Sequence, residues 1–139
     1  LAIGNTRLLL LEMPFVPWTE RMLQEVRNAQ EQLGVTIVLA HIERYLPMQK
    51  EPRFWEQLED MAVLVQANAG FFIRLRNRGK ALRLLRQGRI HLLGSDCHNT
   101  RSRPPNLGRA ASIINNRLSP NQMQWLEKRE KRLLKIETV

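Results

Sequence analysis

The chain has 139 residues, 43% of them apolar, with one cysteine and a formal net charge of +9 at pH 7. This length predicts about one domain with its own core, and its apolar runs fall well short of the roughly 20 residues that a membrane-spanning helix needs. A single cysteine excludes an internal disulfide, which favours a reducing, cytoplasmic location.

Apolar runs alternate with helical patterns along the chain. The runs predict strands at 6–11, 36–40, 63–67 and 90–94. The helical patterns predict helices at 17–33, 54–61, 78–87, 107–116 and 120–134. Pro17 is suited to a first helical turn, and Gly34 and Gly88 are suited to helix ends. The alternation and the nearly continuous apolar strands together predict an α/β fold with a parallel sheet.

Polar side chains follow every predicted strand. Glu12 follows the first strand, His41 the second, Asn68 the third, and Asp96 with His98 the fourth. The carboxyl ends of parallel strands share one side of a sheet, where the active sites of such folds lie. Histidines with carboxylates suit Mn, Fe or Zn better than Ca or Mg. Each residue alone has an ordinary structural explanation, but their convergence favours a metal site.

Arginines come shortly after two of these strand ends. Arg44 lies three residues past His41, and Arg101 and Arg103 lie three and five past His98. A guanidinium group binds phosphate through two parallel hydrogen bonds, so arginine beside a metal favours phosphoester chemistry. The alternative is that these arginines pair with glutamates of their own loops.

Two other features invite a functional interpretation. Cys97 lacks the glycine-rich loop of a cysteine phosphatase, and its place between Asp96 and His98 predicts that it points away from them. Basic residues crowd 74–89 and 128–135. Solvated helix faces are the commonest explanation of such runs, and an anionic partner is the alternative. We expect no nucleic-acid partner.

Four segments resemble one known family in order and spacing: LLLLEMPF (8–15), VLAHIERY (38–45), VQANAG (65–70) and LLGSDCHNTRSRPP (92–105). They are similar to the metal-dependent protein tyrosine phosphatases of capsule and exopolysaccharide operons, within the PHP (polymerase and histidinol phosphatase) superfamily. The resemblance covers roughly residues 5–115. It implies a distorted β/α barrel with a metal cluster, commonly manganese, at the strand carboxyl ends. The metal ligands that it implies are Glu12, His41, Asp96 and His98, and the phosphate-holding residues are Arg44 and Arg103.

The resemblance also implies a reaction and a partner. The implied reaction is hydrolysis of a phosphoester by a metal-activated water, without a covalent phospho-enzyme. The implied substrate is a phosphotyrosine protein, such as the tyrosine kinase of a polysaccharide operon. Two alternatives stay open: a small-molecule phosphatase similar to histidinol phosphatase, and an inactive remnant that binds an anionic partner.

The chain departs from the family pattern in two respects. Ile42 stands where the family's second motif usually has proline. The family's N-terminal His-x-His strand and Asp-Asp-Gly loop have no counterpart. We therefore expect residues 1–139 to be the C-terminal portion of one PHP-type domain, a partial barrel without its N-terminal strands, with 120–139 as a basic helix. Such a portion should bind metal weakly and show little activity alone. Its exposed sheet edges should be covered either by a second copy of the chain, which gives a homo-oligomer, or by the basic C-terminal helix.

Overall fold

The structure, a computed structural model, describes residues 3, 6–95 and 106–137, with side chains as far as residue 133. Within these ranges four strands form a parallel sheet in chain order: β1 (Leu8–Leu11), β2 (Thr36–Leu39), β3 (Leu64–Asn68) and β4 (Leu92–Gly94). Each strand lies within two residues of its predicted range. The predicted parallel α/β architecture is therefore confirmed.

The same ranges contain six α-helices: α1 (Glu20–Leu33), α2 (Arg53–Asp60), α3 (Ala69–Ile73), α4 (Leu75–Arg86), α5 (Leu107–Arg117) and α6 (Pro120–Glu137). The prediction that the first helix starts at Pro17 is wrong, because the side chain of Thr19 caps α1 by accepting from the Met22 N–H at 3.2 Å. Gly34 ends α1 in a left-handed conformation, as predicted. None of these helices has the combination of length and apolar character that a membrane span requires.

The sheet is apolar on both faces. On one face Ile37, Leu39 and Val65 pack with Trp55 of α2 and Leu84 of α4, and each of these residues is at most 2% exposed. On the other face a smaller cluster of strand residues packs against Leu133 of α6. Side chains alternate between the two faces of a strand, so each strand packs into both apolar clusters. This packing holds the strands, and therefore their carboxyl ends, in place.

β1 and β4 are the outer strands of the sheet among the residues that the structure describes. Unpaired strand edges are sites at which another strand can add. Pairing between two copies of the chain through these edges remains a prediction.

Candidate metal centre

Three of the six predicted site residues lie in the described part of the chain. Glu12 directly follows β1, His41 lies two residues after the end of β2, and Arg44 is the last residue of a short 3-10 turn. The other predicted site residues lie outside the described residues, as do two of their neighbours: Asp96, His98 and Arg103, with Cys97 and Arg101.

The structure brings Glu12 and His41 together at the carboxyl end of the sheet. The Nε2 atom of His41 lies 3.4 Å from the Oε1 atom of Glu12. The His41 side chain is only 6% exposed, whereas that of Glu12 is 74% exposed. Both ring nitrogens of His41 are buried without a hydrogen-bond partner among the described residues. An unsatisfied buried polar atom costs about 1–3 kcal/mol, and the described side chains supply a hydrogen bond to neither nitrogen of this imidazole.

The backbone of His41 is in the left-handed region, with φ 35° and ψ 57°. Few residues other than glycine adopt this region, and those that do are concentrated at functional sites. The main-chain N–H of His41 donates to the Oε1 atom of Gln66 at 2.6 Å. The conformation is thus tied to a side chain of the neighbouring strand.

Gln66 was not among the predicted site residues. Its Nε2 atom donates to the Oδ1 atom of Asn68 at 3.0 Å, so β3 carries a pair of linked amides beside the site. The sequence holds a signal for this pair, because two polar residues spaced two apart in an apolar strand share one face. Asn68, which ends the third strand, is therefore linked to His41 by way of the Gln66 side chain.

The turn after His41 is fastened to the end of β3. The carboxylate of Glu43 accepts from the Asn68 N–H at 3.2 and 3.3 Å. Burial raises the pKa of Glu43 above its ordinary value even though these hydrogen bonds favour the charged form. Arg44, the next residue, is exposed beside the site.

Tyr45 joins the segments that follow β1 and β2. Its hydroxyl oxygen accepts from the Met13 N–H at 3.1 Å, and burial raises the pKa of this hydroxyl. Its ring lies 5.4 Å from the ring of His41 and 5.2 Å from that of Phe15, measured between centroids. Because Met13 follows Glu12, the hydrogen bond fixes the backbone of the carboxylate beside the imidazole.

His91, the other histidine in the described ranges, has a different environment. It precedes β4, at the end of the strands opposite to His41, and its Nδ1 atom accepts from the Val65 N–H at 3.1 Å. Burial, and then the charge of Arg129, lower the pKa of His91 to about 4. His91 and Arg129 line two open pockets, of about 380 and 400 Å³. This imidazole is neutral and hydrogen-bonded to the backbone, unlike that of His41.

Several cations of the basic stretch 74–89 have structural partners. Arg78 donates to the carbonyl oxygens of Phe72 and Ile73 at 3.0 and 2.8 Å, which satisfies the end of α3. Lys80 forms an ion pair with Glu51 at 3.0 Å. These two cations contact the protein itself, so they do not by themselves indicate an anionic partner.

The Glu12–His41 pair fits a metal ion. Two ligand atoms that each lie about 2.1 Å from one metal are separated by about 3.0–3.4 Å at the usual angles, and the observed separation is 3.4 Å. A carboxylate oxygen and an imidazole nitrogen suit Mn, Fe or Zn. Across residues 3, 6–95 and 106–137, no third His, Cys, Asp or Glu completes a metal-binding group. The remaining predicted ligands, Asp96 and His98, lie outside these ranges.

The helix-flanked parallel sheet defines an α/β protein. Its candidate site is the Glu12–His41 pair at the carboxyl ends of the strands. The family model of capsular polysaccharide synthesis proteins, CpsB/CapC, matches residues 1–134. The chain therefore belongs to the CpsB/CapC family, which confirms the resemblance that its motifs predict.

Individual relatives agree with this assignment. The chain is 28% identical over 120 residues to tyrosine-protein phosphatase CpsB of Streptococcus agalactiae, a match that covers 81% of this chain and 49% of that protein. It is 33% identical over 90 residues to tyrosine-protein phosphatase CpsB of Streptococcus pneumoniae, covering 59% of this chain and 37% of that protein. The chain thus spans about half the length, or less, of these curated relatives.

The fold is also similar to one seen in crystals. A match to the crystal structures of YwqE from Bacillus subtilis and CpsB from Streptococcus pneumoniae, described as metal-dependent tyrosine phosphatases, has a TM-score of 0.79 at 23% identity. It covers 100% of this chain and 57% of that chain. The predicted PHP-type fold class is confirmed by this match.

Proposed function

We propose that this chain belongs to a metal-dependent phosphoester hydrolase that acts on phosphotyrosine in proteins of capsular or exopolysaccharide synthesis. The observation that carries the proposal is the buried His41 imidazole: neither of its nitrogens has a hydrogen bond among the described residues, and its Nε2 atom lies 3.4 Å from the Glu12 carboxylate. Membership of the CpsB/CapC family supports the reaction class. The names of the relatives support the substrate class.

In this proposal each predicted site residue has one role. Glu12, His41, Asp96 and His98 hold a divalent metal, for which we propose Mn²⁺. When bound, the metal supplies an activated water and neutralises charge on the phosphate. The burial of His41 keeps bulk water from its ring nitrogens. Arg44 and Arg103 bind phosphate oxygens as bidentate donors and hold the phosphorus in place.

An aromatic surface beside the site supports an aryl phosphate as substrate. The Phe15 side chain is 60% exposed, and its ring lies 5.2 Å from Tyr45, which in turn contacts His41. Exposed aromatic rings pack favourably against other aromatic rings.

We place the reaction in the cytoplasm, which the single cysteine supports. We also propose that two copies pair through a sheet edge, which sedimentation measurements would test.

The test is a comparison of substrates with the natural gene product at its full length. Metal-free protein is assayed with and without Mn²⁺ on a phosphotyrosine peptide, the matched phosphoserine peptide and histidinol phosphate. We expect Mn²⁺-stimulated hydrolysis with a clear preference for phosphotyrosine. Preference for histidinol phosphate would indicate a small-molecule phosphatase, and no hydrolysis of any substrate would indicate a binding protein. Residues 1–139 alone should be much less active.

A further inference from the structure

The carboxamide of Gln66 is held by hydrogen bonds at both of its polar atoms. The oxygen accepts from the His41 N–H at 2.6 Å, and the nitrogen donates to the Oδ1 atom of Asn68 at 3.0 Å. An amide whose nitrogen is already engaged as a donor has only one orientation in which its oxygen faces the His41 N–H. The acceptor at His41 is therefore fixed by β3.

This acceptor explains the conformation of His41. A left-handed backbone at a residue with a bulky side chain persists only where the surroundings impose it. The described contact made by the His41 main-chain N–H is the short bond to Gln66. In this conformation the ring lies against Tyr45 and 3.4 Å from the Glu12 carboxylate.

The neighbouring strand leaves room for the carboxamide. Gly94 pairs with Asn68 across the β3–β4 ladder. A β-carbon at Gly94 would lie 2.4 Å from the Nε2 atom of Gln66 and 3.3 Å from its Cδ atom. The first distance is far below van der Waals contact, so any other residue at position 94 would displace the amide.

We infer that Gln66 is a positioning residue for the metal centre: it holds His41 in the left-handed conformation that presents the imidazole beside Glu12, and Gly94 leaves the space that the Gln66 carboxamide occupies. The consequence for metal binding rests on the proposed function. The consequence for the backbone of His41 does not depend on it.

The first test measures Mn²⁺ binding by calorimetry with the natural gene product. Gln66→Met keeps the length of the side chain but removes both polar atoms, and it should weaken Mn²⁺ binding about tenfold or more, as expected for a residue that orients a ligand. Gly94→Ala should weaken binding similarly, by displacing the same amide. Gly79→Ala is the matched control, since no described atom lies within 4 Å of its added β-carbon. It should leave the affinity unchanged.

A double variant separates positioning from a general loss of stability. In a Gln66→Ala background there is no carboxamide to displace, so Gly94→Ala should reduce Mn²⁺ affinity no further. If the two substitutions caused independent structural defects, their losses of Mn²⁺ affinity would instead add. An additive double variant would overturn the link between the two residues.

A readout without metal keeps the inference separate from the proposed function. In ¹⁵N–¹H spectra of the metal-free protein, the His41 amide proton should move upfield in Gln66→Met and Gly94→Ala, since it loses a short hydrogen bond. If the wild type binds no Mn²⁺, the proposed function fails and this shift still decides the inference. Unchanged His41 amide shifts, or wild-type Mn²⁺ affinity in both variants, would overturn it. If Gln66→Met does not fold, Gly94→Ala decides alone.

Discussion

The Nε2 atom of His41 lies 3.4 Å from the Oε1 atom of Glu12, yet the described part of the chain offers neither nitrogen of this ring a hydrogen bond. Buried polar side-chain atoms nearly always have a partner, so each exception needs an explanation. A metal ion shared with the Glu12 carboxylate would provide one for the Nε2 atom. This relationship, more than the net charge of +9, indicates the chemistry of the site.

Replacing the exposed carboxylate tests its part in metal binding. Glu12→Gln keeps the shape of the side chain and removes its negative charge, so Mn²⁺ binding should weaken by about tenfold or more. Calorimetric titration measures the change. Glu31→Gln, an exposed position on α1, serves as the control for charge and should bind as the wild type does. If Glu12→Gln and Glu31→Gln bind Mn²⁺ with equal affinity, Glu12 is not a metal ligand.

Arg44 tests the proposed phosphate contact. In Arg44→Lys a single ammonium group replaces the bidentate guanidinium, and kcat/KM for a phosphotyrosine peptide should fall by about tenfold or more. Mn²⁺ affinity should not change. Arg21→Lys is the matched control, because Arg21 pairs with Glu25 at 3.4 Å on the exposed face of α1. Wild-type kinetics in Arg44→Lys would exclude the phosphate role.

Periodic and local signals made most of the fold predictable. The apolar runs located all four described strands, because strands buried on both faces have few polar residues. Gly34 was correctly placed at the end of α1, since the left-handed position there suits glycine. The convergence of Glu12 and His41 followed from the parallel order of the strands.

Features that depend on distant contacts were not predictable. Helix α3 was missed because Ala69–Ile73 continues the apolar run of β3 for only five residues, too few for a helical period. Nothing local distinguishes His41 as a left-handed residue, because its conformation depends on Gln66, 25 positions along the chain. The hydrogen bond between Tyr45 and Met13 spans 32 positions. Such contacts appear only once the strands are assembled.

His91 predicts how stability depends on pH. Its pKa is about 4 in the folded protein, against 6.5 for an exposed histidine. Between these values the unfolded chain binds the extra proton, so the contribution of His91 is complete above about pH 6.5 and is lost as the pH falls toward 4. The loss is at most about 3 kcal/mol. Urea unfolding measures the free energy of unfolding at pH 7 and at pH 4.5. This free energy should fall less between the two pH values in His91→Asn than in the wild type. The same loss in both proteins would contradict this.

Two glycines predict opposite effects on stability. Gly34 has φ 61° with no described atom near its added β-carbon, so Gly34→Ala should lose about 1 kcal/mol from backbone strain alone. Gly79 lies inside α4 with equally open space, and Gly79→Ala should gain about 0.5–1 kcal/mol. Urea unfolding measures both changes. A loss of similar size in both variants would show that the left-handed conformation does not determine the effect.

We propose that the His41 imidazole, at the carboxyl end of the sheet, holds a metal ion. The most direct test of this proposal is a calorimetric Mn²⁺ titration of the metal-free natural gene product, its His41→Gln variant and its His91→Asn variant. We expect His91→Asn to bind Mn²⁺ as the wild type does and His41→Gln to lose at least about tenfold in affinity. Wild-type affinity in His41→Gln, or no Mn²⁺ binding by the wild type, would contradict it.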